Sequence, residues 1–174
     1  MLSLIRQSRL QRIKRQSGTT LIEVLVSLLI LSGGMLGMAG VQTVSLRNNQ
    51  TAYYRTQATS LSLDMVERMR ANITGVQNGA YDDVAGAATA TCFTVAGCTS
   101  VQMANQDILD WTAQVAAALP GGDSVVCIDS TGDDGTPAAE ACDGIGRVYA
   151  IKIWWDDDRD GTANQRYVTT TRPW

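Results

Sequence analysis

Glu23 is the residue whose setting calls for chemistry. It is the only charged side chain between Thr19 and Leu46. A charge inside a membrane-spanning segment costs about 2.5–3.5 kcal/mol on insertion scales. A carboxylate there either snorkels to the interface or meets a cation, and both readings are open from position alone. Imidazole chemistry is excluded, because the chain has no His. That removes the commonest general base, the triads that need it and most zinc sites. The four cysteines, Cys92, Cys98, Cys127 and Cys142, all lie in the second half. An even count outside the cytoplasm reads as a disulfide framework. Of the three possible connectivities, the local pairs Cys92–Cys98 and Cys127–Cys142 are favoured. The second closes a loop of about 15 residues, worth about 3 kcal/mol in the chain-entropy picture. The C-x5-C and C-x14-C spacings lack the C-x2-C pairs of zinc ribbons. Asp156, Asp158 and Asp160 precede Gly161 as D-x-D-x-D-G, the opening of a calcium loop and a weak calcium candidate. The closing Glu position holds Tyr167 and Arg159 intrudes, so an acidic hairpin loop is the plain reading. A second acidic tract, 129–140, is interrupted by Pro137. No cofactor and no catalytic constellation is implied, which points away from an enzyme.

These residues need elements to hold them. Five basic residues (Arg6, Arg9, Arg12, Lys14, Arg15) and no acid precede the apolar run, leaving 9 basic against 17 acidic residues in the rest of the chain. A basic tip followed by enough apolar residues to cross a bilayer, about 20, predicts a single pass with the N-terminus cytoplasmic. The acidic remainder argues against direct nucleic-acid binding, which needs clustered Lys and Arg. A secretory signal is the alternative, with Gly37-Met38-Ala39 imitating its cleavage site. Its apolar core is normally shorter, at 7–15 residues.

Beyond Val41 no proline occurs until Pro120. Tyr54, Ala58, Leu61, Met65 and Met69 recur at helical spacing, so one helix is predicted from 19 to 72. It would be about 80 Å long at 1.5 Å per residue, with 19–44 transmembrane and 45–72 amphipathic. Asp64 and Arg68 are set for an i,i+4 pair. Gly33 and Gly37 form a small-xxx-small step that permits close helix approach. Residues 74–100 read as loops around the first cysteine pair. A helix is predicted over 105–119, lined by Ile108, Trp111, Val115 and Ala118, and strands over 124–128, 147–155 and 165–171. Trp154, Trp155, Tyr167 and Trp174 are candidates for an aromatic patch, although strand alternation assigns about half of them to a core. Asn72-Ile73-Thr74 is a glycosylation sequon. The fold class is α+β: a leader over 1–18, a long helix over 19–72, and a disulfide-bearing head over 73–174 with a small antiparallel sheet.

Gly18-Thr19-Thr20-Leu21-Ile22-Glu23 resembles the class III leader junction of type IV prepilins. The tracts Glu23 to Gly34, Ala39-Gly40-Val41-Gln42, Asp64 to Asn72 and Asp133 to Gly144 are similar to the PilV family of minor pilins. Where that family usually has Phe or Met after the cut, this chain has Thr19. The resemblance implies a type IV pilin fold, cleavage between Gly18 and Thr19 by a prepilin peptidase, and N-methylation of Thr19. It implies that Glu23 pairs with the amine of a neighbouring subunit. Partners would be other minor pilins and the major pilin. The chain would sit in the bacterial inner membrane with a periplasmic head and then enter the pilus, at its base or tip. Its function would be pilus assembly and priming, in support of twitching motility and attachment. Alternatives are a minor pseudopilin of type II secretion, which shares the leader and helix, and a membrane-anchored secreted protein of other function.

Overall fold

The structure, a computed structural model, describes residues 18–172. Met1 to Ser17, most of the leader, and Trp174 of the aromatic candidates lie outside the described residues. The element order is α1 (Leu21–Ala71), α2 (Ile73–Gln77), a 3-10 turn (Ala90–Phe93), α3 (Ser100–Ala118), β1 (Asp123–Ile128), β2 (Tyr149–Trp155) and β3 (Gln165–Thr171). The chain divides into two compact units at Ser45/Leu46, and α1 contributes to both.

α1 contains no proline, although Gly33, Gly34, Gly37 and Gly40 each lower its helix propensity by about 1 kcal/mol. Its one first-turn acid, Glu23, and its last-turn bases, Arg68 and Arg70, suit the ends of the macrodipole. It begins where the Thr20 carbonyl accepts the Glu23 and Val24 amides at 3.0 and 3.2 Å. It ends at Asn72, whose side chain accepts the Gly75 amide at 3.2 Å and so caps α2. Sequence reading takes this region as the end of a helix followed by loop. A second, short helix follows instead, because the cap residue that stops one helix starts the next.

α3 begins five residues before the expected start. Thr99 and Gln102 form a capping box, each side chain bonded to the other's backbone amide. The face expected from the spacing is the buried one, through Ile108, Trp111 and Val115, with Ala104 extending it.

The sheet is antiparallel, in the order β1-β2-β3. The alternation of β2 sends Tyr149, Ile151, Ile153 and Trp155 into the main core. There they meet Tyr54, Ala58, Met65 and Met69 of α1 and the buried face of α3. Each such side chain, fully buried, contributes roughly 1.5–3 kcal/mol. Trp111 also donates its indole N–H to the Leu61 carbonyl at 2.8 Å, tying α3 to α1. Leu61 itself, expected on the core stripe, is half-buried, and Ser62 and Val66 are buried in addition.

The opposite face of β2 is covered too. Ala150, Lys152 and Trp154 are all buried because the excursion between β1 and β2 lies over them. Cys127 and Cys142 are joined, with Cα atoms 6.1 Å apart. Trp154 packs against Val125, Cys127 and Cys142. Cys92 is joined to Cys98 in a separate small ring, Cα to Cα 4.7 Å. An aromatic surface patch is therefore not formed by the described candidates: Trp154 and Trp155 fill opposite faces of one covered strand, and Tyr167 is half-buried.

Candidate assembly surface

From Leu21 to Gln50 every residue of α1 is exposed, including Leu21, Leu25, Leu29, Leu36 and Val41. This is the one helix among the described residues long and apolar enough to cross a membrane, and none of its most apolar stretch is buried. Three of its hydroxyls are satisfied within the helix. Ser27 donates to the Glu23 carbonyl at 2.7 Å, Ser32 to Leu29 at 2.8 Å and Thr43 to Ala39 at 3.0 Å. A helix with its backbone bonds made and these hydroxyls bonded to it exposes little that lipid would penalise over its apolar run.

Glu23 is the exception. It stands in the first turn, exposed, and forms no ion pair among the described residues. Gly18 and Thr19 precede the helix, exposed and outside any helix or strand. Nothing lies within 4 Å of where a Cβ would stand at Gly33, Gly34, Gly37 or Gly40. The glycines leave a shallow recess bordered by Met38, Val41 and Gln42.

In the second unit, the acidic β2–β3 loop has a structural task. Asp156 accepts the amides of Arg159 at 2.7 Å and Asp160 at 3.3 Å on one oxygen, and that of Gly161 at 2.8 Å on the other. Burial works to raise its carboxyl, but these N–H groups outweigh it and hold it below the usual range. Asp158 is pushed up, by burial and then by its acidic neighbours Asp156 and Asp160. Oxygens of Asp156, Asp158 and Asp160 come within 4.8 Å of one another. Both Asp156 oxygens are nevertheless already engaged by backbone N–H, so the loop is braced from within. It is also strapped to α1: Thr51 donates to Asp157 at 2.7 Å, Arg159 to the Tyr54 hydroxyl at 3.0 Å, and Arg55 to Gln165 at 3.1 Å.

Two polar centres escaped sequence reasoning. Lys152, fully buried, contacts Asp129 at 2.5 Å, Asp134 at 3.0 Å and the Glu140 carbonyl at 2.8 Å. Its place on a strand face gave no sign of this, since the partners lie 12 to 23 residues away in an irregular excursion. The second joins α1, α2 and α3. The expected Arg68–Asp64 pair is present at 2.8 Å, and Arg68 reaches on to Asp107 at 3.4 Å. Asp107 accepts the Tyr81 hydroxyl at 2.6 Å, and Asn72 donates to Tyr81 and to the Ser100 carbonyl. Asn72 is buried with its amide fully engaged, which is incompatible with a glycan at the sequon.

A long N-terminal helix whose second half packs on a small antiparallel sheet is the α+β arrangement of a type IV pilin. Residues 40–109, less than half of the chain, match the family described as Tt1218-like, type IV pilin Tt1218. The matched stretch covers α1 from Gly40, α2, the Cys92–Cys98 ring and half of α3. No curated protein and no solved structure matches the chain. Fold, match and apolar helix together support a type IV pilin and a membrane-anchored pilus component.

Proposed function

We propose that the chain is a minor pilin of the PilV type, made as a precursor and held in the inner membrane until it joins a pilus. A prepilin peptidase would cut between Gly18 and Thr19, removing the basic tip while leaving the apolar helix intact. Methylation would follow on the Thr19 amine. The new cation would stand four residues from Glu23. In a stack of such helices, Glu23 of one subunit would pair with the amine of the next, offsetting the cost of a lone carboxylate in lipid. The head would lie in the periplasm. The chain's work would be assembly and priming, with no catalysis of its own, in support of twitching motility and attachment.

The observation that carries this reading is the bare apolar helix: some thirty residues with every side chain exposed and a single unpaired acid at the start. Such a surface needs lipid or sister helices. The test is mass spectrometry of the mature chain. A start at Thr19, methylated or free, is expected; a start near Gly40 would mean conventional secretion and end the proposal. Glu23→Gln should be cleaved and inserted normally yet enter pili poorly, and normal incorporation would remove the pairing role. A minor pseudopilin of type II secretion shares this helix and leader. Deletion separates the two, since loss of pili supports the first reading and loss of exported enzymes the second.

A further inference from the structure

The edge of β1 borders a cavity of about 470 Å³ between that strand, the segment 83–86 and α3. Backbone parity along β1 is fixed by three bonds. The Val126 carbonyl accepts the Asp83 amide at 2.9 Å, the Ile128 amide donates to Asp82 at 2.7 Å, and the Asp129 amide reaches back to Val148. Residues 124, 126 and 128 therefore turn their backbone groups away from β2. Along that edge the Ser124 carbonyl and the Val126 amide are left unbonded among the described residues. The Ser124 hydroxyl, on the cavity lining, is buried and also has no partner among the described residues. Unmade bonds of this kind are costly unless something completes them.

The rim is anionic. Asp83 and Glu140 line the cavity, with Asp123 close by. Glu140 is held above the usual carboxyl range by burial and then by Asp83 and Asp123. Among the described residues no Lys or Arg forms an ion pair with any of the three. The nearest cation, Lys152, is committed to Asp129, Asp134 and the Glu140 carbonyl. Half-buried Val84 supplies an apolar wall, with the buried Trp111 and Ile108 behind it.

We propose that this cavity receives a lysine or arginine side chain of a partner chain, presented on an extended segment that bonds the β1 edge. The cationic head meets acceptors only: two carboxylates, the Ser124 hydroxyl and the Ser124 carbonyl. The stem packs on Val84. The partner's backbone bonds the open Val126 amide, which a free small cation has no means to do. The site lies wholly within the second unit and does not depend on the pilin reading.

The test uses the full chain in detergent micelles, isotopically labelled, with the Ser124 and Val126 amide resonances as readout. Three probes are titrated: N-acetyl-lysine N-methylamide, N-acetyl-norleucine N-methylamide and n-butylammonium. The lysine amide should saturate at a concentration at least about tenfold below either of the others, the size expected for one charge-assisted hydrogen bond. Glu140→Gln, and independently Asp83→Asn, should abolish that advantage. If norleucine amide matches lysine amide, the pocket is merely apolar and the proposal fails. If n-butylammonium matches it, the site takes free cations and the partner chain is ruled out. No saturable shift with any probe, or an advantage that survives in a folded variant, overturns it outright.

Discussion

Lys152 is buried where the sequence shows only an alternating strand. Its ammonium is taken out of water by the excursion 129–148, and burial would lower its pKa. Asp129 and Asp134 more than compensate, and it is raised. Removing one member of a buried pair leaves the other without compensation, which costs about 3–5 kcal/mol. Lys152→Met should therefore destabilise the head by roughly that amount in urea melts of the full chain, whereas Lys152→Met with Asp129→Leu should recover much of the loss. Gly86 is a second sensitive position. A Cβ there would stand 2.2 Å from the Leu109 amide nitrogen on the α3 backbone, so Gly86→Ala should cost about 1–3 kcal/mol through overpacking. The same melts check it, with Gly79→Ala as a poor control, since Gly79 has φ +71°, and Ala85→Ser as a better one.

At the scale of elements, the excursion between β1 and β2 is a cover held by covalent and ionic fastenings. The Cys127–Cys142 bond closes it near its base and Lys152 pins it from beneath. Arg166 of β3 grips the Asp133 carboxylate and the Gly135 carbonyl, each at 2.9 Å. Ser130 is bonded to Asp143 across its neck. Replacing both cysteines of this pair by serine should cost about 3 kcal/mol by the loop-entropy argument and expose Trp154. Fluorescence quenching by iodide should rise in that variant. The same exchange at Cys92 and Cys98 should leave quenching unchanged, because that ring touches neither tryptophan-bearing face of β2. A quenching increase from the Cys92–Cys98 variant instead would show that the cover is not what shields Trp154.

The stability of the whole second unit carries a pH signature built from these groups. Lys152 is raised, so its contribution is complete below its unfolded pKa and is lost as pH climbs through its folded one. Tyr149 is pushed up to about 12, by burial first and then by Asp82, and Tyr81 is raised by burial and by Asp107. A buried phenol with a raised pKa resists ionisation, so folding weakens once pH exceeds the unfolded value of about 10. All three act in one direction, and stability should fall steeply above about pH 10. On the acid side, Asp134 is lowered by its hydrogen bonds from Lys152 and Thr131. Its contribution is present above the ordinary carboxylate pKa and vanishes as pH falls through the folded value. Glu140, raised, works the opposite way and weakens folding as pH rises past about 4. Glu140→Gln should therefore stabilise the chain at neutral pH. Thermal melts from pH 3 to 11 would display both arms, and ultraviolet titration would show phenolate from these two tyrosines appearing only with unfolding.

Periodicity in the sequence was enough to place the long helix, the α3 face, the three strands and the inward set on β2, because each is set by local spacing of apolar residues. The unbroken apolar run is local in the same way. The α3 start is readable in Thr99-x-x-Gln102, a local capping signal. What no local pattern carried was the second face of the sheet. Trp154 and Lys152 look exposed in an alternating strand and are buried only because a distant irregular excursion folds over them. The acidic loop after β2 is likewise tied to α1 through Thr51 and Tyr54, partners more than a hundred residues away in sequence. Those outcomes depend on which segments meet across the sheet, an energy that arises only when the chain closes on itself, so tertiary structure alone decided them.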